Sequence, residues 1–124
     1  MNNAALAQSA YGVSQAPVRS ERSIEYQAFA KVTHGLIAVE REMDITPKVV
    51  EAVHDNRRLW TILAVDVASE HNQLPSALRA GIFSHNQFVT QHSKEVLKGQ
   101  EDVSGLIEIN RTVMRGLSDD VGQG

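Results

Sequence analysis

The chain has 124 residues, 42% of them hydrophobic and 22% charged, enough for one domain that buries roughly two-thirds of its unfolded surface and too few for two. The absence of cysteine removes a disulfide framework and a thiol nucleophile. A net charge of -3 gives no general attraction to phosphate backbones, so direct nucleic-acid binding is not expected.

The punctuation divides the chain into a short N-terminal helix and four longer ones, with no strand required. Asn3 to Tyr11 can form a few helical turns with Leu6, Ala10 and Tyr11 along one side, before Gly12, Ser14 and Pro17 interrupt. Residues 1–17 therefore read as a docking arm. This start lacks the positive charge and sustained apolar stretch of a secretory signal, and the chain has no run of about 18 apolar residues. A cytoplasmic protein without membrane insertion is expected. Ser20 can cap the next helix, with Glu21 in its first turn. Phe29, Val32, Leu36, Val39 and Met43 then alternate by threes and fours along one face, and this helix is expected to end near Asp44.

Thr46-Pro47 is a start signal for a helix running to about Ser69, since Thr caps and Pro gives up an N–H that has no helical partner there. Its inward face reads Val49, Val53, Asn56, Trp60, Leu63, Val67, with Leu59 and Ile62 widening the stripe. His71 to Leu74 makes the turn and Pro75 opens the next helix, whose face reads Leu78, Ile82, His85, Val89, His92, Val96 beside Phe88 and Leu97. Gly99 is placed to stop it, and Asp102 to cap the last helix, which presents Leu106, Ile107, Asn110, Val113, Met114 and Leu117. Loops of a few residues imply antiparallel neighbours. The expected fold is all-α: an antiparallel helical bundle of about four main helices over residues 18–118, between the arm and a polar tail at 119–124.

Glycines 35, 81, 105 and 116 fall inside helical patterns, where each costs about 1 kcal/mol relative to Ala. Either they are locally tolerated or they admit a close neighbour, and Gly35 and Gly81, beside apolar stripes, fit the second reading better. His85 and His92 lie two turns apart, whereas paired ligands on a helix sit at i and i+3 or i+4. Partly buried, hydrogen-bonded histidines are expected, not a metal site, and no cofactor is implied. Asp55 with Arg58, and Glu108 with Arg111 or Thr112, have the spacing of surface pairs. No nucleophile elbow, phosphate-binding loop or paired-carboxylate motif emerges, so enzymatic activity is not expected.

Asn56 and Asn110 interrupt apolar seams, and a buried amide must find partners or cost on the order of 1–3 kcal/mol. They can bond each other and fix helix register, or offer a polar contact to a partner. Arg57 and Arg58 flank Trp60 closely enough for at least one to point outward, a composition common at interfaces. Trp60 itself sits in the stripe and suits the core.

The blocks DNRRLWTIL at 55–63, NQLPSALRAGIFS at 72–84 and LIEINRTVMRGL at 106–117, in this order and spacing, resemble the FlaF family of flagellar biosynthesis proteins. That resemblance implies a cytoplasmic helical protein that promotes flagellin production in bacteria that also use FlbT, a family that holds flagellin synthesis back. It suggests two roles: an export chaperone that binds a flagellin terminal helix, or a regulatory adaptor that promotes flagellin translation through FlbT or another protein partner. The contact residues expected for the first are Arg57, Arg58, Trp60, Asn110 and Arg111 from the family blocks, with Phe83 and Phe88 as apolar contacts. Phe83, off the main stripe of its helix, is the better placed of the two to face a partner.

Overall fold

A computed structural model describes residues 21–123, with side chains from Arg22 to Ser118. The expected all-α bundle is what it shows: α1 (Glu21–Ala38), α2 (Pro47–Val67), α3 (Ser76–Leu97) and α4 (Ser104–Gln123). The arm at 1–17 and the Ser20 cap lie outside the described residues. α1 packs on α2 and α4, and α3 packs on the same two, so the helices close a ring in chain order. Their directions alternate. On α4, Gly105 meets His92 of α3 and Gly116 meets Leu78, so one helix rises as the other descends.

Local chemistry sets several of the ends. Thr46 Oγ1 accepts the Val49 N–H at 3.3 Å, with Pro47 at the first helical position. Gly99, at φ +76°, ends α3 as the sequence suggested. Its N–H donates to the Val96 carbonyl and the Gln100 N–H to the Glu95 carbonyl, both at 2.9 Å, a Schellman closure that needs a left-handed residue. Asp102 receives the Ser104 N–H at 3.0 Å and the Ser104 hydroxyl. The hydroxyl first, and then the N–H, hold the Asp102 carboxyl below the usual carboxylate range. α4 then runs on to Gln123, so the backbone of the polar tail continues the helix up to that residue.

Three expectations about faces need correction. α1 stops at Ala38, not near Asp44: tight turns bond Val39 N–H to Leu36 O and Glu42 N–H to Val39 O, and Val39 is the last core residue before the chain reverses. Met43 is consequently 94% exposed and on no inward face, while Thr33 is buried. Ile62 is 55% exposed and does not widen the α2 stripe, although all six residues of the stripe itself are buried. On α3, Phe88 and Leu97 are exposed at the edges and Ser93 is buried among Ile82, Val89 and Val96. Neither the Asp55–Arg58 nor the Glu108–Arg111 ion pair forms; Thr112 instead donates its hydroxyl to the Glu108 carbonyl at 3.1 Å.

The close helix approach also falls elsewhere than expected. A Cβ on Gly35 or Gly81 would meet open space, whereas one on Gly105 would stand 2.8 Å from His92 Nε2. That ring is held on three sides: Nε2 lies 3.1 Å from the Asp102 carbonyl, Nδ1 3.8 Å from Glu95, and Phe88 stacks on it at 5.1 Å. Helix propensity favours alanine by about 1 kcal/mol, but forcing a held ring aside costs about 1–3 kcal/mol. Gly105→Ala is therefore expected to lower the melting temperature. In a His92→Ala background the same substitution should raise it, and a thermal melt of the four variants reads the change of sign.

Candidate functional site

Polar groups organise the centre of the bundle. The Trp60 indole N–H donates to Asn110 Oδ1 at 2.8 Å, and Asn110 Nδ2 donates to Asn56 Oδ1 at 2.7 Å and to Thr33 Oγ1 at 3.0 Å. The Thr33 hydroxyl turns toward Met114 Sδ at 3.8 Å, and Phe29 meets Trp60 edge-on with ring centroids 5.4 Å apart. Trp60, Asn56 and Asn110 are fully buried. The two asparagines do bond each other. The network ties α2 to α4, which do not abut along their backbones, and draws in α1. Trp60 and Asn110, both expected among the contact residues, thus lie inside the scaffold and hold the helices that present the others.

Arg57 and Arg58 are on the outer side of α2. They line a hollow of about 610 Å³ together with Val50, His54 and Ile62, closed by Leu97 from α3. Val50 is 42% exposed, Ile62 55% and Leu97 36%, so the hollow is apolar with guanidinium groups at its middle. Phe83, 61% exposed, stands fourteen residues before Leu97. At 100° and 1.5 Å per residue that places it within about 40° of the same side of α3 and about 21 Å along it. Leu97 and Phe83 thus bracket a seam between α2 and α3, and Val65, 71% exposed, adds a further apolar group on the outer side of α2.

The other expected contacts are elsewhere. Phe88, nine residues before Leu97, is about half a turn round α3 and stacks on His92 toward α4. Arg111 lines a separate hollow of about 240 Å³ with Tyr26, Met114 and Arg115, between α1 and α4. Of the seven residues, Arg57, Arg58 and Phe83 share the seam. Sequence reasoning missed Val50, Val65 and Leu97 as members of it. The available signal was their apolar character on the outer side of a helix whose inward stripe was already complete.

An exposed apolar track interrupted by guanidinium groups suits an amphipathic helix that carries carboxylates among its apolar anchors. Among the described residues no three His, Asp or Glu side chains converge as metal ligands, and no helix is long and apolar enough to cross a membrane. A family model described as flagellar protein FlaF matches residues 7–117, a span that takes in all three blocks. Comparison with curated proteins and with solved structures found no match.

Proposed function

Because the chain belongs to the FlaF family of flagellar proteins, we propose that it binds a terminal helical segment of flagellin, guarding it for export and promoting flagellin production. The observation that carries this reading is the α2–α3 seam, where Val50, Ile62 and Leu97 are exposed around Arg57 and Arg58 and Phe83 is exposed farther along the same side of α3. Flagellin's terminal helices are amphipathic and find their coiled-coil partners only in the filament, so their apolar stripes need cover beforehand. A helix laid into a groove supplies that cover through anchors at i, i+3, i+4 and i+7. This role requires no catalysis and no cofactor, and it is exercised in the cytoplasm, where flagellin is made.

Titration calorimetry of the chain against its cognate flagellin, and against flagellin lacking the C-terminal helical segment, tests the reading. Binding at about micromolar affinity or tighter, lost on truncation, supports it. No binding to flagellin, with binding to FlbT instead, would favour the adaptor role. Arg58→Ala combined with Phe83→Ala removes two exposed side chains that support no core residue. The pair is expected to weaken flagellin binding by about tenfold or more while leaving the thermal melt unchanged. Unaltered affinity would rule out the seam as the contact.

A further inference from the structure

Exposed apolar side chains stand at both ends of the seam. At one end Val50, the fourth residue of α2, shares the hollow with Leu97, the last residue of α3, so the two helices run antiparallel with these residues at one level. From there Val65 lies fifteen residues along α2 and Phe83 fourteen residues back along α3, about 22 Å and about 21 Å at 1.5 Å per residue. Antiparallel neighbours therefore bring Val65 and Phe83 to one level as well, and both are exposed. Ile62, which lines the hollow, is one turn before Val65 on α2.

Between these two pairs the surface is cationic. Arg57 and Arg58 follow Val50 by seven and eight residues, midway to Val65, and at 100° per residue fall within about 80° of its side of α2. Lys94, exposed, stands three residues before Leu97 and within about 60° of its side of α3. Among the described residues no Asp or Glu lines the hollow. The one carboxylate of α3, Glu95, lies about 160° round the helix from Leu97 and stands 3.8 Å from His92 Nδ1, toward α4.

We infer that the seam selects its occupant by spacing and charge together: one amphipathic helix with two apolar anchors two heptads apart on one face and carboxylates midway between them. Two heptads advance a helix by about 21 Å and turn it by only about 40°, so both anchors reach the paired apolar groups of the seam. The residue seven places along lies within about 20° of the first anchor, and a carboxylate there meets the forked donors of Arg57 and Arg58. A helix whose anchors are eleven residues apart keeps them on one face but leaves the second about 4.5 Å short of its pair. A lysine at the midpoint is set against two guanidinium groups with no carboxylate on the seam to receive it. The inference deepens the flagellin reading and rests on it only for the identity of the occupant.

The test uses the full chain and three synthetic helical peptides of equal length and composition. The first has leucine anchors two heptads apart, glutamates between them on the same face and lysines on the opposite face. The second exchanges the glutamates and lysines; the third keeps the charges of the first but sets the anchors eleven residues apart. By fluorescence anisotropy at physiological salt, the first is expected to bind about tenfold more tightly than either of the others. Arg57→Glu/Arg58→Glu should reverse the order of the first two, and Val65→Ser/Phe83→Ser should remove the advantage of the first over the third. All four substitutions lie on the outer side of the helices, and a thermal melt checks that the fold is kept. Arg57→Glu/Arg58→Glu is also expected to lose about tenfold or more in affinity for flagellin. Equal binding of the three peptides by a chain that binds flagellin overturns the inference and leaves the flagellin reading standing. The expected ranking without any flagellin binding supports the selection rule and removes flagellin as the occupant. Self-association of the chain that Arg57→Glu/Arg58→Glu abolishes would make a second copy the occupant and overturn the inference.

Discussion

Trp60→Ala is expected to leave the chain barely folded. The indole is fully buried, and it is the largest of the wholly enclosed side chains. Its removal opens a cavity worth about 3–5 kcal/mol in lost packing, including the edge-on contact with Phe29. It also takes away the N–H that satisfies Asn110 Oδ1, and a buried acceptor without a donor costs a further ~1–3 kcal/mol. Against a typical domain stability of about 5–15 kcal/mol, the sum consumes most of what is available. Urea unfolding followed by circular dichroism reads the loss directly. Trp60→Phe separates the two contributions, since it keeps most of the ring volume and discards only the donor. It should fall between the native chain and Trp60→Ala, and, on the proposed flagellin reading, it should bind flagellin in proportion to its folded fraction. A Trp60→Ala chain as stable as the native one would mean that the indole is not the centre of the core.

The same residue shows why so much of α2 was legible in advance. Its six buried stripe residues recur at threes and fours, and Thr46-Pro47 marks its start by side-chain chemistry that acts within one turn. Gly99 was equally readable, because a left-handed closure is a local demand on the backbone. The end of α1 was not. Glu40, Arg41, Glu42 and Met43 are all good helix formers with no stop signal among them, and the helix yields there because the chain must turn back to bring Val49 beside Val39 in the core. Similarly, nothing local distinguishes Gly105 from Gly81. Only the packing of α4 on α3 places the His92 ring against one and leaves open space beside the other.

The candidate site divides along the same line. That an arginine of the Asp55–Leu63 block would face outward follows from 100° per residue, and Arg58 is exposed. Whether Arg57, Phe83 and Arg111 share a surface depends on which helices are neighbours in the ring, and a periodicity carries no such information. α4 shows Arg111 toward α1, so it joins Tyr26 and not the seam. The grouping of Phe83 with Leu97, and its separation from Phe88, follow once α2 is known to flank that side of α3.

Asn110→Ala is expected to be the most damaging polar substitution, and far more damaging than Asn56→Ala. Asn110 uses its carbonyl for Trp60 and its amide for both Asn56 and Thr33, so truncation strands the Trp60 N–H and Asn56 Oδ1 and leaves the Thr33 hydroxyl only Met114. At about 1–3 kcal/mol for each unsatisfied group, the loss approaches that of Trp60→Ala. Asn56 differs. Its carbonyl accepts from Asn110, but its own Nδ2 is buried with no partner among the described residues. Removing Asn56 therefore relieves one unsatisfied donor, and Asn110 Nδ2 retains Thr33. A double-mutant cycle on the two asparagines by urea unfolding should give a coupling of about 0.5–3 kcal/mol, with Asn56→Ala the cheaper single change. The asymmetry bears on function because the layer fixes α1 and α2 against α4, and α2 carries the arginines of the seam. If the network serves register, Asn110→Ala should weaken flagellin binding beyond its loss of folded protein, whereas Asn56→Ala should not. Equal costs for the two substitutions would mean that the orphaned amide of Asn56 is satisfied in solution, and that the layer is held from both ends.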